Sequence, residues 1–125
     1  QYVAIKDGGN GAWVADKTTR EKLPPYPCKP IEPIGAGDGF NAGFLAGILQ
    51  GRDVVTAGRM GAICGALATQ TPGDVEGYPD AAQMEAALTG AAITYWPSCA
   101  TFRWKRPLIT PRPPCRAVPP SLRWH

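Results

Sequence analysis

Long hydrophobic runs are missing from this sequence: no stretch approaches the ~20 apolar residues that a membrane-crossing helix needs. Histidine occurs once, at His125. The four cysteines, Cys28, Cys64, Cys99 and Cys115, stand 36, 35 and 16 positions apart with no CxxC pair. That spacing argues against a zinc site and supplies no tight disulfide framework, so small, buried or indifferent thiols in a reduced, cytoplasmic setting are expected. An initiating Met is absent and nothing resembling a signal peptide precedes Gln1, which suggests a piece of something longer. Glycine and acid also run out part-way. All fifteen glycines and all ten acidic residues lie in residues 1–90, whose seven bases leave a net charge of −3. Residues 91–125 carry six bases, three of the four tryptophans and seven of the fourteen prolines, a net +6.

What is present is globular in kind: 44% hydrophobic and 18% charged residues over 125 positions, enough for one small domain. Two kinds of sequence meet near Gly90. Residues 91–125 show no sustained period of two or 3.6, and Arg103-Trp104-Lys105-Arg106-Pro107 interleaves bases with an aromatic. Such a composition suits a nucleic acid or a proline-recognition domain. The abrupt loss of glycine and acid instead resembles a change of reading frame, so this segment is read as an irregular, disordered or non-native tail, with nucleic acid not expected as a partner.

Within residues 1–90, Tyr2-Val3-Ala4-Ile5 and Ala12-Trp13-Val14-Ala15 are β-prone runs flanking Lys6-Asp7-Gly8-Gly9-Asn10-Gly11, which predicts a hairpin with a loop of backbone amides. Residues 17–34 hold five prolines and read as extended connection, with an edge strand at Cys28 to Ile31. Phe40, Phe44, Leu45, Ile48 and Leu49 form a helical stripe ended by Gly51. Ala42, Gly43, Ala46 and Gly47 lower helix propensity, about 1 kcal/mol per glycine, and predict close packing on a neighbouring helix. A second helix is predicted from Val54 to about Thr69, with Val55, Met60, Ile63 and Leu67 inward. A turn at Pro72-Gly73-Asp74 leads to a third, starting at Pro79-Asp80 and carrying Met84 and Leu88.

The informative segment is Ile34-Gly35-Ala36-Gly37-Asp38-Gly39-Phe40. A glycine-rich turn entering a helix aims several N–H groups at one point, where the helix dipole adds positive charge. This is an anion site. A carboxylate at its edge would repel a phosphate unless it takes a proton from a hydroxyl attacking that phosphate. From the spacing alone, Asp38 either does this or merely caps the helix. The pattern is neither GxxxxGK[ST] nor GxGxxG.

Glu32-Pro33-Ile34-Gly35-Ala36-Gly37-Asp38-Gly39-Phe40 resembles the D-T-x-G-A-G-D signature of the ribokinase-like (PfkB) carbohydrate kinases. Two further segments match in order. Lys6 to Gly11 resembles the strand–loop beside the ATP phosphates. Gly65-Ala66-Leu67-Ala68 with Gly73-Asp74-Val75-Glu76-Gly77-Tyr78-Pro79 resembles the late helix and adenine-side loop. Gly39-Phe40 and Gly73-Asp74-x-Glu76-Gly77 are most similar to 2-keto-3-deoxygluconate kinases. The resemblance covers residues 1 to about 90. It implies the α/β class and the C-terminal part of a ribokinase-like three-layer fold, a mostly parallel sheet flanked by helices, here incomplete.

The resemblance implies ATP-dependent phosphorylation of a sugar or sugar-acid hydroxyl, with Mg²⁺ on the phosphates. Asp38 would be the catalytic base at the substrate, and Gly35, Ala36 and Gly37 the anion hole. Lys6, Gly8, Gly9, Gly11, Gly37 and Ala62 would line the nucleotide side, Ala62 standing where many members carry Asn. Glu32 and Pro33 replace the usual Asp and Thr in a region that in several members binds a monovalent cation, which leaves that cation open. In this family the sugar pocket and its lid come mostly from an N-terminal half, so this chain alone is expected to be inactive. The full-length parent is expected to be a homo-oligomer. The alternative is a non-catalytic nucleotide-binding or subunit-interaction fragment of the same fold.

Overall fold

The computed structural model describes residues 1–73 and 75–90. Asp74 and the whole tail read at 91–125 lie outside the described residues, and with them the expectations placed there. Three short strands come first: β1 (Val3–Lys6), β2 (Ala12–Ala15) and β3 (Arg20–Leu23), followed by α1 (Ala36–Leu49), α2 (Val54–Ala68) and α3 (Ala81–Thr89). The strands form one antiparallel meander in the order β1-β2-β3. Val3 stands opposite Ala15 and Ile5 opposite Trp13, while Ala12 faces Leu23 and Ala15 faces Arg20. The chain is therefore α/β, and the parallel part of the expected sheet is not among the described residues.

The first hairpin forms where expected, its loop containing a single 3-10 turn at Gly8–Asn10. Gly11 has φ of +95°, and a Cβ there would run into the Leu23 carbonyl, so only glycine lets β2 lie this close to β3. The third strand is a correction, because residues 17–34 were read as connection. The Asp16 carboxylate accepts from the Thr18 and Thr19 amides at 2.8 and 2.7 Å and turns the chain back from β2. Leu23, 1% exposed, then enters the core. The edge strand expected at Cys28 to Ile31 does not form. Pro27 and Pro30 remove donors, and the Ile31 and Glu32 amides bond instead to the Thr69 carbonyl at 2.8 and 3.0 Å. The Gln70 amide nitrogen donates to the Lys29 carbonyl at 2.8 Å. A proline-rich strap is thus fastened to the C-terminal end of α2.

The two long helices lie against each other through their small residues. A Cβ on Gly43 would stand 2.5 Å from the Met60 carbonyl, one on Gly47 2.7 Å from the Ala57 Cα, and one on Gly61 2.8 Å from the Phe40 carbonyl. The buried face of α1 is Phe40, Gly43, Phe44 and Gly47. Leu45 and Leu49, counted in the predicted stripe, are instead exposed, because the helix has a second apolar face turned away from α2. On α2 Val54 of the first turn is buried, and Val55 is half-buried and packed against the same core.

One core cluster joins the sheet to these helices through Ala12, Val14, Leu23, Phe40, Phe44, Val54 and Ala57. A second joins strap and helices through Tyr26, Met60, Ile63, Cys64, Leu67, Met84 and Ala87. Full burial of a Leu, Ile or Val side chain contributes about 1.5–3 kcal/mol, so Leu23, Ile63 and Leu67 anchor both clusters. No helix among the described residues is long and apolar enough to cross a membrane.

Candidate nucleotide and catalytic site

The three helices begin differently. Asp53 caps α2, accepting from the Val55 and Thr56 amides at 3.1 and 2.9 Å. Asp80 caps α3 in a reciprocal capping box with Gln83. Helix α1 starts from Gly35, a left-handed residue at φ of +85° with no side chain to offer its amides. Its first i→i−4 bond is Gly39 N to Gly35 O at 2.8 Å, while the Ala36 amide reaches the Pro33 carbonyl at 3.4 Å. The Gly37 and Asp38 amides stand ahead of that bond, as donors do at a helix start. They sit at the positive end of the α1 dipole.

Asp38 is exposed in the first turn of α1 and makes no side-chain cap there. Its carboxylate lies at the positive end of the α1 dipole, where an acid is favourable whether or not it acts on a substrate. The glycines beyond it do serve packing: Gly39 lies against the Cys64 carbonyl, and Gly65 against the Ala36 carbonyl.

Lys6, at the end of β1, reaches across to this turn. Its ammonium donates to the Gly37 carbonyl at 3.2 Å and to Asn41 Oδ1 at 3.3 Å, tying the first hairpin to the start of α1. Between hairpin, strap and helices lies a cavity of about 450 Å³. All six residues read for the nucleotide side, Lys6, Gly8, Gly9, Gly11, Gly37 and Ala62, line it, and so does Ala36. Gly35 and Asp38 are outside the lining, flanking Ala36 and Gly37 in sequence.

A further part of the lining was not foreseen. Pro25, Tyr26, Pro27, Cys28 and Pro30 of the strap line the cavity together with Ala66 of α2 and its C-cap Thr69, whose hydroxyl lies 3.8 Å from Cys28 Sγ. The sequence signal was the proline run, read only as connection. Of the segment that the resemblance reads as the late helix and adenine-side loop, Gly65 and Ala66 line this cavity. Tyr78 and Pro79 line a different cavity, of about 350 Å³, among the three helices, and Gly77 packs on α2. There the Cys64 thiol is pushed up to about 11 by burial, which makes it a poor nucleophile.

Glu32 folds back so that its Oε1 accepts from the Ile34 amide at 3.4 Å. Among the described residues no three acidic, cysteine or histidine side chains come together to hold a metal ion.

The chain is 38% identical over 79 residues to an uncharacterised sugar kinase of Archaeoglobus fulgidus, covering 63% of this chain and 32% of that one. It is 36% identical over 91 residues to the 2-dehydro-3-deoxygluconokinase of Bacillus subtilis, covering 70% and 28%. Among solved structures it is similar to the fructokinase of Vibrio cholerae O395 bound to fructose, ADP and calcium ion, with TM-score 0.62, 31% identity and coverage of 70% and 30%. The chain therefore spans about a third or less of the length of the relatives it matches. A family profile described as pfkB family carbohydrate kinase matches residues 1–81, more than half of the sequence, and the chain belongs to that family.

Proposed function

We propose that these residues form the ATP-binding and catalytic portion of a kinase that phosphorylates a hydroxyl of a small sugar or sugar acid, 2-dehydro-3-deoxygluconate being the first substrate to try. The observation that carries this proposal is the convergence of Lys6, the hairpin glycines and the uncapped start of α1 on one cavity. The nucleotide lies along that cavity with its phosphates toward Gly37. Magnesium on the phosphates neutralises charge. Asp38 takes the proton of the acceptor hydroxyl as its oxygen bonds to the γ-phosphorus; the bond to the β,γ-bridging oxygen breaks and ADP leaves. The amides of Gly35, Ala36 and Gly37 stabilise negative charge on the transferring group.

The sugar-reading residues belong to the N-terminal half that the family resemblance implies, so the chain alone turns over no sugar. A chimera in which residues 1–90 replace the matching segment of the Bacillus subtilis relative supplies that half. Its sugar-dependent ADP production should fall on Asp38→Asn by about 10²–10⁴-fold, the range for losing a general base. ADP affinity should stay nearly unchanged. Equal turnover in the mutant removes Asp38 from the role of base, and sugar-dependent turnover by the unjoined chain overturns the division of labour.

A further inference from the structure

We infer that Asn41 is a positioning residue for phosphate binding: as a neutral acceptor it holds the Lys6 ammonium at the start of α1 without cancelling its charge. This deepens the nucleotide-site proposal above and rests on it. Asn41 follows the glycine-rich turn by one turn of helix and lies outside the lining of both cavities. It acts through Lys6, which does line the cleft.

Lys6 is placed where a cation is not normally favoured. Positive charge suits the C-terminal end of a helix, and the start of α1 is the end that repels it. The ammonium is nevertheless brought there from β1, with its nitrogen 3.2 Å from the Gly37 carbonyl oxygen and 3.3 Å from Asn41 Oδ1. Gly37 and Asn41 share a face of α1, being i and i+4, so one ammonium spans both. A Cβ on Gly37 would stand 3.3 Å from the same nitrogen, so glycine leaves room for this approach. Neither acceptor carries a charge, and among the described residues no carboxylate pairs with Lys6, Asp38 included. An ammonium has three N–H donors. Two are taken, and the third is left for an anion. The result is an uncompensated charge beside the amides of the same turn, the combination from which charge-assisted bonds to phosphate oxygens are made. A carboxylate in place of the Asn41 amide would orient Lys6 too, but it would pair with the ammonium and repel phosphate. Asparagine keeps the acceptor and omits the charge.

The test is calorimetric titration of the full chain with ADP. Asn41→Ala should weaken ADP binding by about three- to tenfold, as loss of one orienting hydrogen bond does. Asn41→Asp should weaken it further, although a carboxylate is the stronger acceptor and suits the first turns of a helix. Lys6→Met should weaken it at least as much as Asn41→Ala. Adding Asn41→Ala to Lys6→Met should then change it by less than about twofold, because the two residues act as one. Equal ADP affinity in Asn41→Ala and the wild type overturns the inference, and so does Asn41→Asp binding as tightly as the wild type. An Asn41→Ala loss of the same size with and without Lys6 also overturns it, since Asn41 then acts elsewhere. Each of these outcomes leaves the nucleotide site standing. No ADP binding by the full chain overturns the nucleotide-site proposal and this inference together.

Discussion

Asp53 shows how a single side chain is tuned by its position. Burial by itself raises its pKa, but the Thr56 hydroxyl and the Thr56 and Val55 amides all donate to the carboxylate and together hold it below the ordinary 3.8. A carboxyl depressed in the folded state contributes stability above its unfolded pKa and loses it as pH falls through the folded value. The α2 cap is therefore complete at neutral pH and is lost only in acid, below about pH 4. Asp53→Ala should destabilise the fold by about 1 kcal/mol, as N-cap removal does. Denaturant unfolding checks it, and the mutant's deficit should shrink toward zero as the pH is lowered past 4. A deficit independent of pH would show that the carboxylate's charge plays no part. Asp38 occupies the first turn of its helix without making such bonds.

Between elements, the contact of α1 with α2 is made by glycines rather than by interdigitated large side chains. Adding one methyl at Gly43 places it against the Met60 carbonyl and 2.9 Å from Cys64 Sγ, two neighbours of which the backbone oxygen cannot swing aside. Gly43→Ala should gain helix propensity, roughly 1 kcal/mol, and still lose overall, because overpacking of this kind costs about 1–3 kcal/mol. A lowered melting temperature is expected; a raised one would mean the helices separate freely. This packing was legible in the sequence, since four small residues inside an apolar stripe have few other uses. The first hairpin and the three helices were legible too, because their turn glycines and periodicities are local. The strap and β3 were not. Whether a proline-rich segment pairs with a sheet or docks on a helix end depends on distant groups, here the Thr69 carbonyl and the Gln70 amide. The apolar wall of the cleft was missed for the same reason: it exists only once Tyr26 and Pro27 come to line one cavity with Ala66.

At the scale of the whole molecule, two apolar surfaces of the described residues are exposed. Leu45 and Leu49, 58% and 87% exposed, extend the line of Asp38 and Ala42 along the free side of α1. On the sheet, Val3 and Ile5 stand exposed beside Trp13 on the face away from the helices, where Arg20 and Lys22 lie over the Trp13 ring. Strand β1 is also an edge, with backbone donors and acceptors unpaired along it among the described residues. Exposed apolar faces and an open strand edge are surfaces that two copies of the chain can bury against one another. The chain should therefore self-associate in a concentration-dependent way. Leu45→Gln with Leu49→Lys should raise the monomer fraction seen by light scattering while leaving the melting temperature nearly unchanged, since exposed side chains away from packing contribute within about 0.5 kcal/mol. The lysine also complements the negative end of the α1 dipole. If the double mutant associates as strongly as the wild type, the α1 face is not the sticky one, and the edge of β1 becomes the surface to block. If the wild type stays monomeric throughout, neither face drives association.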